Sequence, residues 1–170
     1  DLLAVLAVGW SFTGTGLFAW WRRPGNVVGL LMWLTGFFWF FNLYTLSDAV
    51  PLFVAGYLLS SVSFGFLINL LLAFPDGRLH SRFERVVAAG GYLTVTVMQL
   101  ISAFLIDPER NGCDGCPDNP LLVTDSTTPY EIFSAVQSLL GIAVLVGLVV
   151  AIFLRWRASP QALRKQFAPV

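Results

Sequence analysis

Long apolar runs and short polar interruptions alternate along the chain. Each run is about 20 residues long, the length that an α-helix needs to cross the roughly 30 Å hydrocarbon layer of a membrane. Proline, glycine and charged residues stand between the runs, where they end helices or resist entry into lipid. The pattern predicts an all-α fold, a polytopic transmembrane helical bundle. Its five predicted spans are residues 2–21, 27–47, 51–74, 86–106 and 130–154.

Composition favours a membrane protein over a soluble domain. Hydrophobic residues make up 56% of the 170 residues and charged residues 12%, and the mean hydropathy is +0.74. Because globular domains carry about 25% charged residues, this chain has too few charges to cover a surface that faces water. The 10 Lys and Arg residues balance 10 Asp and Glu residues, so no net positive charge points to nucleic acid. We predict a multi-pass protein of the cell membrane, with lipid as its surroundings and no nucleic acid partner.

The predicted loops separate the charges by sign. One set of loops and chain ends carries the cations that serve as topology anchors: Arg22, Arg23, Arg78, Arg82, Arg85, Arg155 and Arg157, followed by Arg164 and Lys165. The other set carries one cation and most of the acids: Arg110 with Asp48, Asp107, Glu109, Asp114, Asp118, Asp125 and Glu131. By the positive-inside rule, the arginine-rich loops face the cytoplasm. The N-terminus is then outside the cell and the C-terminus inside.

The predicted spans contain polar residues but no ionisable residue near their centres. Proton relays, ion-coupled transport and haem ligation depend on such residues, so a pump, a transporter or a cytochrome is disfavoured. The polar amides within the spans are Asn42, Asn69, Gln99 and Gln137. We favour interhelical hydrogen bonds for them, each worth about 1 kcal/mol. A pocket for a small ligand is the alternative interpretation.

Residues 107–129 form the long outer loop in this prediction. The loop contains Cys113 and Cys116, which would lie in an oxidising compartment where cysteines form disulfides. We favour a local disulfide, with a redox-active pair as the alternative. One cysteine pair does not supply the four ligands of a structural zinc site. Four carboxylates of the loop offer contacts for a hard cation or another ligand: Asp107, Glu109, Asp114 and Asp118.

The sequence offers no recognisable catalytic constellation. It has no Ser/His/Asp set, no phosphate-binding glycine loop and no pair of facing carboxylates. The single histidine, His80, stands in the inner loop between the third and fourth predicted spans. We therefore predict no enzymatic activity, no metal and no cofactor for these residues.

The end of the chain predicts a link to a further region. Residues 1–157 are the predicted transmembrane domain, and residues 158–170 are a predicted cytoplasmic juxtamembrane connector. Ser159-Pro160 suits a helix start, because serine caps the helix and proline is favoured at its first position. We expect both chain ends to be positions within a longer parent protein, in which the connector continues.

The loop sequences carry a resemblance to a known family. The motifs are Arg-Arg-Pro-Gly-Asn at 22–26, Leu-Ala-Phe-Pro-Asp-Gly-Arg-Leu at 72–79, Cys-x-x-Cys-Pro with Asn-Pro-Leu-Leu within 113–122, and Arg-Trp-Arg with Ser-Pro within 155–160. Together they resemble the N-terminal membrane region of multi-span bacterial sensor histidine kinases. The resemblance implies a sensing or signal-relay module that is not itself the kinase. It also implies a homodimer formed through the parent protein and a cytoplasmic signalling domain downstream, but no particular ligand.

Three functions follow as competing hypotheses. The first is a membrane sensor module in which a stimulus at the outer loop or bundle shifts helix packing and the fifth span passes the shift to the cytoplasm. The second is a membrane anchor and oligomerisation scaffold that senses nothing. The third, disfavoured by the lack of buried charges, is a transporter or a membrane-enzyme subunit.

Overall fold

The computed structural model describes residues 2–113, 115–124 and 126–158, and within these ranges every regular element is helical. The α-helices are α1 Leu2–Arg22, α2 Val27–Trp39, α3 Val50–Ser60, α4 Val62–Ala73, α5 Arg82–Tyr92, α6 Gln99–Ala103 and α7 Thr128–Ala158. A 3-10 segment, Phe40–Leu46, continues α2, and a π segment, Leu93–Met98, joins α5 to α6. The all-α prediction is confirmed for the described chain.

Within the described residues, five helical stretches are long and apolar enough to cross a membrane. They are Leu2–Arg22, Val27–Leu46, Val50–Ala73, Arg82–Ala103 and Thr128–Ala158. This number agrees with the five spans that the apolar runs predict. Several such stretches in one chain are typical of a multi-pass membrane protein. The predicted connector lies outside the described residues from position 159 onward, as do Asp114 and Asp125.

The fourth span differs most from its predicted boundaries. Its helix begins at Arg82 rather than at residue 86 and ends at Ala103 rather than at residue 106. The early start has a local cause, because the Ser81 side chain accepts a hydrogen bond from the Glu84 N–H. The Glu84 carboxylate in turn accepts one from the Ser81 N–H, which completes a capping box. The segment expected to be a short basic loop is therefore partly the first turn of α5.

Close backbone contact between α1 and α2 depends on glycine. A Cβ atom at Gly16 would overlap the backbone nitrogen of Trp33, and one at Gly29 would overlap the backbone nitrogen of Trp20. Without these Cβ atoms the two helices approach until their backbones touch, which suits helices that associate in lipid through packing. Gly14, also on α1, has no atom near its would-be Cβ and is not part of this contact.

The helix ends form two groups, which we call the arginine-rich end and the acidic end. The arginine-rich end comprises residues 22–27, 74–85 and 155–158, and long-range hydrogen bonds join its parts. The Asn26 side-chain amide donates to the Pro75 carbonyl at 3.0 Å, and the Arg155 guanidinium donates to the Phe74 carbonyl. All seven predicted topology anchors fall within these ranges. The acidic end comprises residues 104–127 and the helix ends beside them.

The buried core lies nearer the arginine-rich end. One cluster joins Leu72 and Val87 to the α7 residues Leu148 and Ala151. A second cluster is formed by Val28, Leu31, Leu70 and Ala73. Leu79, from the loop between α4 and α5, packs against both clusters. The arginine-rich end of the bundle is therefore tied together by apolar packing as well as by hydrogen bonds.

Candidate functional site

A network of charged side chains joins α7 to α5 and to the loop before it. The Arg155 guanidinium on α7 lies 3.0 Å (Nη2 to Oε1) from the Glu84 carboxylate on α5. The same Nη2 atom lies 3.3 Å from His80 Nδ1. His80 Nε2 lies 2.9 Å from Asp76 Oδ2. We call these four residues, Asp76, His80, Glu84 and Arg155, the arginine-end network.

Glu84 is the buried member of the arginine-end network. Its side chain is 8% exposed, while that of Arg155 is 30% exposed. Besides the ion pair, Oε2 of Glu84 accepts hydrogen bonds from the backbone N–H groups of His80 at 2.6 Å and Ser81 at 3.1 Å. A carboxylate removed from water is costly unless charge and donors compensate it. Glu84 therefore holds the loop, the start of α5 and α7 in one arrangement.

His80 connects the network to a more exposed acid. Arginine has no hydrogen-bond acceptor, so a neutral His80 accepts from Arg155 at Nδ1 and donates from Nε2 to Asp76. The side chains of His80 and Asp76 are about half exposed. They border a cleft of about 540 Å³ between the loop, α5 and the end of α7.

Three members of this network, Asp76, His80 and Glu84, were not predicted as site residues from the sequence. Glu84 was expected in a loop and His80 was expected to have no site role, whereas Arg155 was expected only as a topology anchor. The predicted spans were expected to have no ionisable residue near their centres, and Glu84, which is 6% exposed, lies in the first turn of α5, at the end of the stretch Arg82–Ala103 and not at its centre. The capping-box pattern of Ser81 and Glu84 could have moved the helix start, but no sequence pattern pairs Glu84 with Arg155.

Three of the four amides in the spans bond between helical segments. The Gln137 amide on α7 donates to Gln99 Oε1 at 3.1 Å and to the Thr94 carbonyl at 3.3 Å. The Gln99 amide donates to the Tyr57 carbonyl on α3 at 3.2 Å. Asn69 on α4 donates to the Tyr92 hydroxyl at 3.2 Å. Asn42 instead donates to Trp39, within its own turn.

At the acidic end, the loop after α6 folds back on the helix. The Asn119 side-chain amide donates to the carbonyls of Ala103 at 2.7 Å and Ile106 at 2.8 Å. Its Oδ1 accepts from the Leu121 N–H at 3.0 Å. The Val123 N–H donates to the Phe104 carbonyl at 3.0 Å. These bonds make residues 119–123 an ordered cover over the end of α6.

The two cysteines lie within this loop and are close enough to be bonded. The Cα atoms of Cys113 and Cys116 are 5.6 Å apart and their sulfur atoms are at disulfide distance. Gly115 has a φ of +79°, a conformation that glycine adopts readily and that the tight ring requires. The geometry agrees with the favoured prediction of a local disulfide.

The loop carboxylates are not gathered into a cation site among the described residues. Asp107 Oδ2 lies 3.2 Å from Arg110 Nε, so this acid already has a cationic partner. Glu109 and Asp118 are exposed, and Asp114 lies outside the described residues. In the described part of the chain, no three His, Cys, Asp or Glu side chains lie close enough to hold a metal ion together.

A cavity of about 180 Å³, which we call the acidic-end cavity, lies between α3, the end of α6 and the outer loop. Apolar side chains supply most of its wall: Phe53, Val54, Ala103, Ile106, Pro108 and Leu121. Tyr57, Asn111, Cys113 and Asn119 complete it. The sequence suggested a ligand pocket among the span amides, but the cavity lies beside them, under the loop.

Comparison with protein-family models, with curated proteins and with solved structures finds no match to this chain. The fold and its two ends nevertheless define a class. In its described residues the chain is all-helical, with five stretches long and apolar enough to span a membrane. A cysteine pair at disulfide distance lies at its acidic end and a buried ion pair lies at its arginine-rich end.

Proposed function

We propose that this chain is a membrane-embedded sensor or signal-relay module of a larger signalling protein. The loop motifs support a parent of the sensor histidine kinase kind, with the kinase and a dimer contact downstream of residue 170. In this proposal the arginine-rich end faces the cytoplasm and the acidic end faces outside, as the charge asymmetry supports. The chain resides in the cell membrane and carries no catalysis of its own.

The observation that carries the proposal is the ion pair between Arg155 and Glu84. Arg155 stands in the last turn of α7, the helix that would lead to a cytoplasmic domain. Its partner Glu84 is held by backbone donors of the preceding loop and is buried. A movement of α7 along or around its axis therefore either carries the loop and α5 with it or separates Arg155 from the buried Glu84 carboxylate.

Further contacts connect α7 to the helices that lead to the acidic end, so a change there could alter the position of α7. Gln137 bonds to Gln99 and Thr94 in the first half of α7. In the second half, a Cβ at Gly147 would lie 2.9 Å from a methyl group of Val87 on α5, so α7 and α5 pack closely there. A rearrangement of α6 under the outer loop would therefore reach α7 through Gln99 and the π segment.

Signalling by this route requires two packings that differ by only a few kcal/mol. The π segment Leu93–Met98 is a suitable place for the difference, because π turns within helices are less regular and often occur at functional positions. In our proposal a stimulus at the acidic end favours one packing of the Leu93–Ala103 region, and α7 passes the change to the network at Arg155.

The coding sequence after Val170 provides the first test. Phosphoacceptor and ATP-binding motifs there would support the proposal, and a different type of domain would contradict the kinase part of it. In the parent protein reconstituted in proteoliposomes, we expect Glu84→Gln and Arg155→Gln to shift autophosphorylation in the same direction. Arg82→Gln, which removes an exposed cation from the first turn of α5, is the matched control and should leave it unchanged.

A scaffold without a sensing role makes a different prediction. If an unrelated five-span bundle of the same topology replaces residues 2–158 and regulation of the kinase persists, the relay proposal is wrong and the anchor interpretation holds. Loss of regulation with retained basal autophosphorylation supports the relay.

A further inference from the structure

The acidic-end cavity has the size of a site for one small molecule. Its volume is about 180 Å³. For comparison of size, an enclosed cavity of about 150 Å³ lined by Leu, Ile and Phe side chains takes up benzene or xenon. The space beside Phe53, Val54 and Ile106 is therefore large enough for a single aromatic ring and too small for a lipid headgroup with its glycerol.

The polar side chains in its wall already have partners. The Tyr57 hydroxyl and Ser102 Oγ are 3.0 Å apart and hydrogen bonded. The Asn119 amide is used by the two carbonyls at the end of α6, and the Asn111 amide donates to the Asp107 carbonyl at 2.7 Å. Within the described residues, the buried side-chain polar atom without a partner is Thr13 Oγ1, which lies on α1 beside Gly36 and not at the cavity.

Because the polar side chains of the wall are already hydrogen bonded, the cavity favours an apolar occupant. A charged or strongly polar molecule would lose its hydration in a mainly apolar space whose polar side chains already take part in hydrogen bonds, which costs free energy. An apolar molecule loses little by leaving water and gains van der Waals contact with the wall. Because the cover is fixed by the bonds of Asn119 and by the paired cysteines, the site exists before the molecule arrives.

We propose that the acidic-end cavity is a binding site for a small apolar molecule of about the size of benzene. The molecule would lie between α3 and the end of α6, under the outer loop. Its use as a stimulus rests on the signalling function proposed above, whereas its binding does not.

Benzene and methyl NMR test the binding directly. The whole chain, labelled with 13C at the isoleucine δ1 methyl groups, is placed in lipid nanodiscs and titrated with benzene. Ile106 lines the cavity, whereas Ile132 and Ile152 are 64% and 44% exposed on α7. We expect the Ile106 signal to shift and saturate because it senses a single site. The other two should shift in proportion to the benzene dissolved in the lipid.

Two substitutions fill the space from different sides. Val54→Phe on α3 and Leu121→Phe in the loop should each abolish the saturable shift of Ile106. Val136→Phe is the matched control, because Val136 is 45% exposed on α7 and does not line the cavity. Unchanged Ile132 and Ile152 spectra without benzene show that each variant is folded, and either filling variant suffices for the test.

Three results would overturn the site. They are a linear Ile106 response like that of Ile132, a saturable response that survives both filling variants, and a lipid acyl chain contacting Ile106 that benzene does not displace. Saturable binding in the chain combined with unaltered autophosphorylation of the parent protein would leave the site standing and count only against its use by a stimulus.

Discussion

At the scale of single residues, the stability of the arginine-rich end depends on how Glu84 is compensated. Its carboxylate receives two backbone N–H groups and one guanidinium, so all three donors would lose a charged acceptor if it were neutralised. Hydrogen bonds to a charged group are worth about 1.5–3 kcal/mol each, and removal of one partner of a buried pair costs more than its formation gains.

Glu84→Gln should therefore lower the free energy of unfolding by about 2 kcal/mol. The glutamine amide keeps one oxygen as an acceptor, but its NH2 group replaces the other oxygen and faces a donor that the carboxylate had accepted from. Because Arg155 is partly exposed, water can hydrate its guanidinium in this variant, which limits the loss of stability. Reversible unfolding in mixed detergent micelles measures the difference. Arg82→Gln should stay within about 0.5 kcal/mol of the wild type. Equal stability of both variants would show that the buried pair contributes little.

The cysteine pair provides a second prediction at the residue scale. If Cys113 and Cys116 are joined in the purified chain, intact-mass spectrometry with a thiol alkylating agent should show no adduct before reduction. Two adducts per chain should appear after reduction. A loop closed by so few residues gains only about 2 kcal/mol from its bridge in the chain-entropy estimate. We thus expect Cys113→Ser with Cys116→Ser to fold with modestly reduced stability, and alkylation without reductant would contradict the pairing.

At the scale of helices, glycine positions decide which pairs pack closely. Gly16 and Gly14 stand on the same helix, but only the first faces the backbone of α2. Gly16→Ala should destabilise the bundle by about 1–3 kcal/mol, because the added methyl group forces α1 and α2 apart. Gly14→Ala has open space and should be neutral or stabilising by up to about 1 kcal/mol, since alanine favours helix. Unfolding of the two variants in the same micelles compares them, and equal losses would rule out the close contact.

The helices also show where sequence reasoning succeeds. An apolar run of membrane-spanning length is a local property, so all five spans could be found without knowledge of their neighbours. The burial of Glu84 depends on Arg155, which is distant in sequence, and no local pattern indicates that the two residues meet. The acidic-end cavity could not be predicted for the same reason, because three separate segments build its wall. The cysteine pair was predictable because its partners are three residues apart.

At the scale of the whole molecule, the two ends differ in both charge and packing. The arginine-rich end holds the buried clusters and the ion pair, and the acidic end holds the cavity beneath an ordered loop. In the proposed relay, a ligand at the acidic end would act beside the cavity, and its effect would reach the buried clusters and the ion pair at the other end. The proposed relay crosses the membrane only if the two ends lie on opposite sides of it, as the charge asymmetry predicts.

Accessibility in cells tests that arrangement. In a cysteine-free background made by Cys113→Ser and Cys116→Ser, we introduce either Asp118→Cys or Arg78→Cys, both at loop positions. A membrane-impermeant maleimide should label the first variant in intact cells. It should label the second only after the membrane is opened, because arginine-rich loops are retained in the cytoplasm. Labelling of Arg78→Cys in intact cells would reverse the orientation. The acidic-end cavity would then face the cell interior, and Arg155 could not pass a signal to a cytoplasmic domain.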